Sequence, residues 1–183
     1  KPKRELEHIA FFVDTNCVNA RQAMPEMNQL EDWAIQQIIS LETTETAQNE
    51  MLVGNNKARI SKAYSFIYSE SAISTPNEIE LLKQIENILF PGGTSNENQR
   101  NDVEIVFTSG KYMNPLITND GGSKSQPGGI LGNKQALASI GIHVMNPKEA
   151  LEKVKKEIRA RDKYAKTWSS LNGVEAPSWI GQD

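Results

Sequence analysis

Short apolar runs alternate with amphipathic stretches along this chain. The first run ends at Val13, and such a run is typical of a buried strand in a parallel sheet. We predict strands over 7–13, 38–43, 115–118 and 142–145. We predict helices over 28–39, 46–53, 57–68, 74–90, 134–140, from near 98, and from 147 onward. Strands alternating with helices predict a three-layer α/β sandwich with a mainly parallel central sheet.

The organisation of the chain follows from its composition. We expect residues 1–171 to form one domain that includes a C-terminal basic helix, and residues 172–183 to form an irregular tail. Residues 119–132 are rich in glycine and serine, which favours a loop. The apolar runs are too short to span a bilayer, so no membrane contact is expected. Cys17 is the single cysteine, which excludes an internal disulfide framework and favours the reducing cytoplasm.

The charge of the chain is unevenly distributed. The formal net charge is −3, which argues against broad, sequence-blind affinity for nucleic acid. Residues 148–166 nevertheless carry eight basic and four acidic side chains, a local charge of +4. This stretch is either the solvated face of a helix or a contact surface for RNA.

Four acidic residues follow or flank the predicted strands. Asp14 and Asp120 come directly after strands, Asp102 opens a helix, and Glu50 lies one or two turns into another. Because parallel strands end at one edge of a sheet, we expect these carboxylates to converge there. Converging carboxylates repel one another, and Mg²⁺ or Mn²⁺ relieves that repulsion. A site of this kind can activate water and neutralise a phosphodiester.

Five features occur in order along the chain. They are Val13-Asp14-Thr15-Asn16, the segment 44–52 with Glu50 before Met51-Leu52, Asp102 eighteen positions before Asp120, the segment 116–120, and the segment 141–147. Together they resemble the motifs of the PIN-domain nucleases, and the resemblance covers roughly residues 8–154.

The resemblance implies a metal-dependent ribonuclease, a hydrolase of RNA phosphodiester bonds. Asp14, Glu50, Asp102 and Asp120 would hold one or two Mg²⁺ or Mn²⁺ ions, and Asn16 and Thr118 would orient them. Many bacterial members are toxins neutralised by a small antitoxin. An antitoxin, another protein partner or a homodimer is therefore left open.

An acidic metal site needs cations elsewhere to guide a polyanion. The candidates for phosphate contacts are Lys124 on the glycine-rich loop, and Lys155, Lys156 and Arg159 on the basic helix. The solvated face remains the alternative for that helix.

The identity of the second acid is open, because Glu42 and Glu45 lie near Glu50. We favour Glu50, which lies on the predicted helix and precedes an apolar pair.

Two alternative functions remain. The family pattern has a further acid soon after Asp120, whereas Gly121-Gly122-Ser123 stands here. This favours a non-catalytic PIN-like module that binds RNA or protein through a degraded site. A phosphatase that forms an aspartyl phosphate on Asp14 is disfavoured, because its motif has a second Asp where Asn16 stands.

Overall fold

The computed structural model describes residues 1–18, 21–53, 55–122 and 128–183. The strands of that part of the chain are β1 (Ala10–Val13), β2 (Ser40–Thr44), β3 (Ile67–Ser69), β4 (Leu116–Ile117) and β5 (Val144–Met145). The helices are α1 (Pro25–Ile35), α2 (Glu45–Leu52), α3 (Lys57–Ala63), α4 (Pro76–Leu89), α5 (Glu97–Tyr112), α6 (Gly129–Gly132), α7 (Lys134–Ser139) and α8 (Pro147–Asn172), with a 3₁₀ turn over Thr15–Cys17.

The strands form one sheet in the order β3-β2-β1-β4-β5, and every neighbouring pair is parallel. Successive side chains of a strand point to opposite faces, so β1 contributes to two cores. Phe11 and Val13 pack with apolar residues of α1 and α8. Phe12 packs with apolar residues of α4, α5 and α7 on the other face. The predicted three-layer sandwich with a parallel sheet is confirmed.

One strand was missed by the sequence analysis. The predicted helix over 57–68 ends at Ala63, and residues 67–69 form β3, with Ile67 paired to Glu42 of β2. The side chains of Ile67 and Tyr68 are 76% and 51% exposed, so this edge strand has no buried face that an apolar pattern could reveal.

The position of Asp102 also differs from the prediction. The helix begins at Glu97, close to its predicted start near residue 98, because the Asn96 side chain caps it by accepting a 3.0 Å hydrogen bond from the Gln99 amide. Asp102 therefore lies in the second turn of α5 rather than at its start. The predicted loop over 119–132 likewise ends in a short helix, α6.

The chain beyond α8 has neither helix nor strand, yet it packs against the rest of the molecule. Arg161 donates a 2.9 Å hydrogen bond to Oδ2 of Asp183, and Arg4 donates one of 3.2 Å to the same atom. The guanidinium of Arg161 also lies 4.6 Å from the ring centroid of Trp179. Among the described helices, none has the length and apolar character needed to cross a bilayer.

Candidate functional site

Asp14 lies where β1 ends, and only 4% of its surface is exposed. Its Oδ2 accepts a 2.7 Å hydrogen bond from the Asn16 amide and a 2.6 Å hydrogen bond from the Thr118 hydroxyl. Thr118 follows β4, the neighbouring strand, so two adjacent strand ends fix one carboxylate. The predicted orienting roles of Asn16 and Thr118 are consistent with these contacts.

The surroundings of Asp14 favour its neutral form. Burial, together with the nearby charges of Glu50 and Asp120, raises the pKa of the Asp14 carboxyl to about 6. The hydrogen bond from Thr118 opposes this rise in pKa, because it stabilises the carboxylate. A charged Asp14 is therefore costly without additional positive charge.

Glu50 lies near the end of α2, and both of its carboxylate oxygens are held by side chains. Oε1 accepts a 2.8 Å hydrogen bond from the Asn101 amide of α5, and Oε2 accepts one from the Thr15 hydroxyl. No local sequence pattern indicated Asn101, because its contact with Glu50 joins two helices that are far apart in the chain. Thr15 belongs to the first motif, but its partner Glu50 is likewise visible only in the fold.

The two alternative acids have other partners. Oε2 of Glu42 accepts a 3.1 Å hydrogen bond from the Ser69 hydroxyl, and Oε2 of Glu45 accepts a 3.1 Å hydrogen bond from the Ser71 amide. Neither raises the pKa of Asp14, whereas Glu50 does. Glu50 is thus the glutamate that the structure places beside Asp14.

Asp102 faces the same group from the second turn of α5. Burial, together with the charges of Asp14, Asp120 and Glu50, raises the pKa of its carboxyl to about 7. Within the described ranges its carboxylate accepts no hydrogen bond. Asp102 is consequently the acid of this group whose charge is least compensated by protein donors.

The carboxylate of Asp120 is held by main-chain amides. Oδ1 accepts a 3.0 Å hydrogen bond from the Gly122 amide, and Oδ2 accepts one of 2.8 Å from the Ile130 amide. Gly129 makes this arrangement possible: its φ is +54°, and a Cβ there would lie 2.5 and 2.6 Å from the two oxygens. The glycine-rich segment, which the sequence predicts to be a loop, therefore holds the Asp120 carboxylate through two main-chain amides.

The four carboxylates act electrostatically on one another, and among the described residues no cationic side chain neutralises them. In the part of the chain that the structure describes, no Lys, Arg or His forms an ion pair with Asp14, Glu50, Asp102 or Asp120. An all-oxygen, anionic donor set fits Mg²⁺ or Mn²⁺. The four carboxylates do not lie close enough together to form a complete set of metal ligands. Among the described residues, no three His, Cys, Asp or Glu side chains form such a group.

The basic residues of α8 lie away from the carboxylates. The His8 ring nitrogen is 3.9 Å from Oε2 of Glu157, and Arg161 donates a 2.6 Å hydrogen bond to the main-chain oxygen of Arg4. Residues 4 and 8 precede β1, so this part of α8 lies at the amino edge of the sheet, opposite Asp14.

The predicted phosphate contacts are therefore not brought to the carboxylates. The three on this stretch of α8 are Lys155, Lys156 and Arg159. Lys155 donates a 3.1 Å hydrogen bond to Oε1 of Glu152 on the same helix. The predicted contact Lys124 falls outside the described residues.

Searches of family models and of curated proteins returned no match to this sequence. The solved structures that the chain resembles include VapBC2 from Rickettsia felis bound to a DNA fragment from their promoter, at 14% identity and a TM-score of 0.48. That alignment covers 75% of this chain and 98% of the other. They also include FitAB bound to an IR36 DNA fragment, at 15% identity, a TM-score of 0.44, and coverage of 75% and 94%.

At this level of similarity the alignments assign no activity and no residue role, so the function has to be argued from the geometry of the site.

Proposed function

We propose that this chain is a PIN-like, metal-dependent endoribonuclease that acts in the cytoplasm. The observation that carries the proposal is the group of four acids, Asp14, Glu50, Asp102 and Asp120, at the carboxyl edge of the sheet. Burial and the charges of the other acids raise the pKa of Asp14 and Asp102, and no described cation pairs with the four acids. Such a group is costly to keep in a fold unless a cation binds it.

The residues of the site would have two roles: some would bind the metal ion, and others orient one of its ligands. Asp14, Glu50, Asp102 and Asp120 would provide the oxygen ligands. When bound, Mg²⁺ or Mn²⁺ would neutralise phosphate charge and activate the water that attacks phosphorus. Thr118 and Asn16 orient the Asp14 carboxylate, and hydrolysis would leave 5′-phosphate and 3′-hydroxyl ends.

The test is the variant Asp14→Asn, which keeps the shape of the side chain and removes its charge. Mn²⁺ binding, followed by calorimetry, should weaken, and cleavage of single-stranded RNA with Mn²⁺ should fall by orders of magnitude. The matched control is Asp32→Asn, at an exposed acid of α1, which should bind Mn²⁺ and cleave as the wild type does. Equal Mn²⁺ binding and equal cleavage by Asp14→Asn and the wild type would refute the proposal.

A second candidate function is a non-catalytic PIN-like module that binds RNA or protein. It is favoured by the two main-chain hydrogen bonds to Asp120, which give this acid a structural task. It is also favoured by Gly121, which stands where the family pattern leads to a further acid. RNA binding without Mn²⁺ binding and without Mn²⁺-dependent cleavage would select this candidate.

We further propose that a protein partner, such as an antitoxin or a second copy of the chain, binds this protein. Several described apolar side chains are strongly exposed, and two of them, Ile35 at 79% and Ile67 at 76%, line the same cavity. Exposed apolar patches mark interaction sites more often than single exposed residues do. Light scattering of the purified chain distinguishes a homodimer from a monomer that requires a different partner.

A further inference from the structure

A groove with a volume of about 320 Å³ lies next to the carboxylates. Its polar lining consists of Thr15, Asn16, Arg21, Asn56 and Arg59. None of the described residues that line it is acidic. The described lining of the groove therefore carries positive charge from Arg21 and Arg59, although the groove adjoins the four acids.

The two arginines of the groove differ from the structural arginines of this fold. Arg4 and Arg161 are engaged by the carboxylate of Asp183. The guanidinium groups of Arg21 and Arg59 have neither a hydrogen bond nor an ion pair with any described residue. Arg21 is exposed and Arg59 is half-buried. Their donors are thus available to a ligand, and a guanidinium is suited to pair with two oxygens of one phosphate.

The wall between the groove and the carboxylates is formed by two residues. Thr15 and Asn16 line the groove, and the same side chains donate hydrogen bonds to Glu50 and Asp14. A strand lying in the groove would therefore pass directly beside the acids. Cations at this entry offset the repulsion that an acidic site exerts on a polyanion.

We propose that Arg21 and Arg59 each bind a backbone phosphate of single-stranded RNA beside the bond that is cleaved. The proposal rests on the proposed function, and it adds the substrate-binding residues. It differs from the expectation based on α8, since the groove lies at the carboxylate edge and Lys155 and Lys156 lie toward the other.

The test is the double variant Arg21→Gln/Arg59→Gln with a labelled single-stranded oligouridylate, measured by fluorescence anisotropy in EDTA. Loss of two phosphate contacts should lower the log–log salt slope of binding by about 1.4, at about 0.7 per contact on single strands. The double variant Arg21→Lys/Arg59→Lys keeps both charges, so it should keep the slope and lose only part of the affinity. Circular dichroism should show that both variants are folded, because neither guanidinium has a hydrogen-bond or ion-pair partner among the described residues.

The matched control is Lys83→Gln/Lys166→Gln, which removes the same charge from exposed positions outside the groove. It should keep the wild-type slope. A wild-type slope in the folded Arg21→Gln/Arg59→Gln variant would overturn the proposal. So would the same loss of slope in the control or in Lys155→Gln/Lys156→Gln.

The binding assay contains no divalent metal, so it is independent of the nuclease test. A lower salt slope in Arg21→Gln/Arg59→Gln supports phosphate binding in the groove, whatever the outcome of the nuclease test. Wild-type cleavage by Asp14→Asn would count against only the nuclease proposal. An unchanged slope together with lost cleavage in Asp14→Asn would refute the groove and retain the nuclease.

Discussion

The fully buried hydroxyl of Thr118 donates a 2.6 Å hydrogen bond to Oδ2 of the buried Asp14. The same oxygen atom of Thr118 accepts hydrogen bonds from the Asn16 side chain at 3.2 Å and from the Asp120 amide at 3.0 Å. One hydroxyl therefore connects the residues that follow β1 with those that follow β4. Loss of this hydroxyl should therefore disturb the residues at both strand ends, although Thr118 is not itself one of the four acids.

The variant Thr118→Val keeps the side-chain shape and removes the hydroxyl. Losing a hydrogen bond to a charged group, with donors left unpaired, should lower the free energy of unfolding by about 1.5–3 kcal/mol. The pKa of Asp14 should rise, because the donor that opposes its increase is gone. Urea denaturation measures the first effect. Thr167→Val, at an exposed threonine of α8, should change stability by less than about 0.5 kcal/mol. Equal effects of the two substitutions would contradict this account.

Gly129→Ala should disrupt the anchoring of Asp120. The new Cβ would lie 2.4 Å from the Gly122 amide nitrogen and 2.5 Å from Oδ1 of Asp120, at a backbone φ of +54°. We expect a loss of more than about 1 kcal/mol in the free energy of unfolding, and weaker Mn²⁺ binding. The control is Gly92→Ala, where a Cβ meets no atom within 4 Å. If Gly129→Ala melts and binds Mn²⁺ as Gly92→Ala does, the glycine is not required for the site.

The stability of the metal-free protein should depend on pH through its acids. The pKa of Asp14 is raised from 3.8 to about 6, and that of Asp102 to about 7. A carboxyl with a raised folded-state pKa stabilises the fold below its unfolded pKa, and that contribution is lost as pH rises through the folded pKa. Asp14→Asn removes one such group. Its free energy of unfolding relative to the wild type should therefore increase from about pH 5 to about pH 8 in EDTA.

The control for the pH experiment is Glu149→Gln. The hydrogen bond from Lys134 lowers the pKa of Glu149, so its stabilising contribution is lost only at more acidic pH. The difference between Glu149→Gln and the wild type should stay constant over the same interval. A constant difference for Asp14→Asn as well would show that Asp14 is not destabilised by its charge.

The sequence predicted the strands whose side chains are buried and missed the one whose side chains are exposed. β1 was recognised because Phe11, Phe12 and Val13 are fully buried on both faces of the sheet. β3 was read as the end of a helix, since Ile67 and Tyr68 face solvent and its pairing with β2 is a long-range property.

The same distinction applies to the site. Asp14 and Asp120 could be placed from the strands that precede them. The choice of Glu50 over two nearby glutamates depends on contacts with Thr15 and Asn101 that no local pattern encodes. The sequence did not indicate the groove arginines, because Arg21 and Arg59 belong to no basic cluster along the chain.

Asn101→Ala tests whether the contact between α5 and α2 positions a ligand. The Asn101 amide holds Oε1 of Glu50 at 2.8 Å, and its loss should let the carboxylate turn away from Asp14. Removal of a group that orients a metal ligand typically lowers metal affinity by about 10–100-fold, so Mn²⁺ binding by calorimetry should weaken to that extent. The control is Asn98→Ala, at an exposed position in the first turn of the same helix, which should bind Mn²⁺ as the wild type does. Equal Mn²⁺ affinity in both variants would mean that Glu50 reaches the ion without help from α5, or that it is not a ligand.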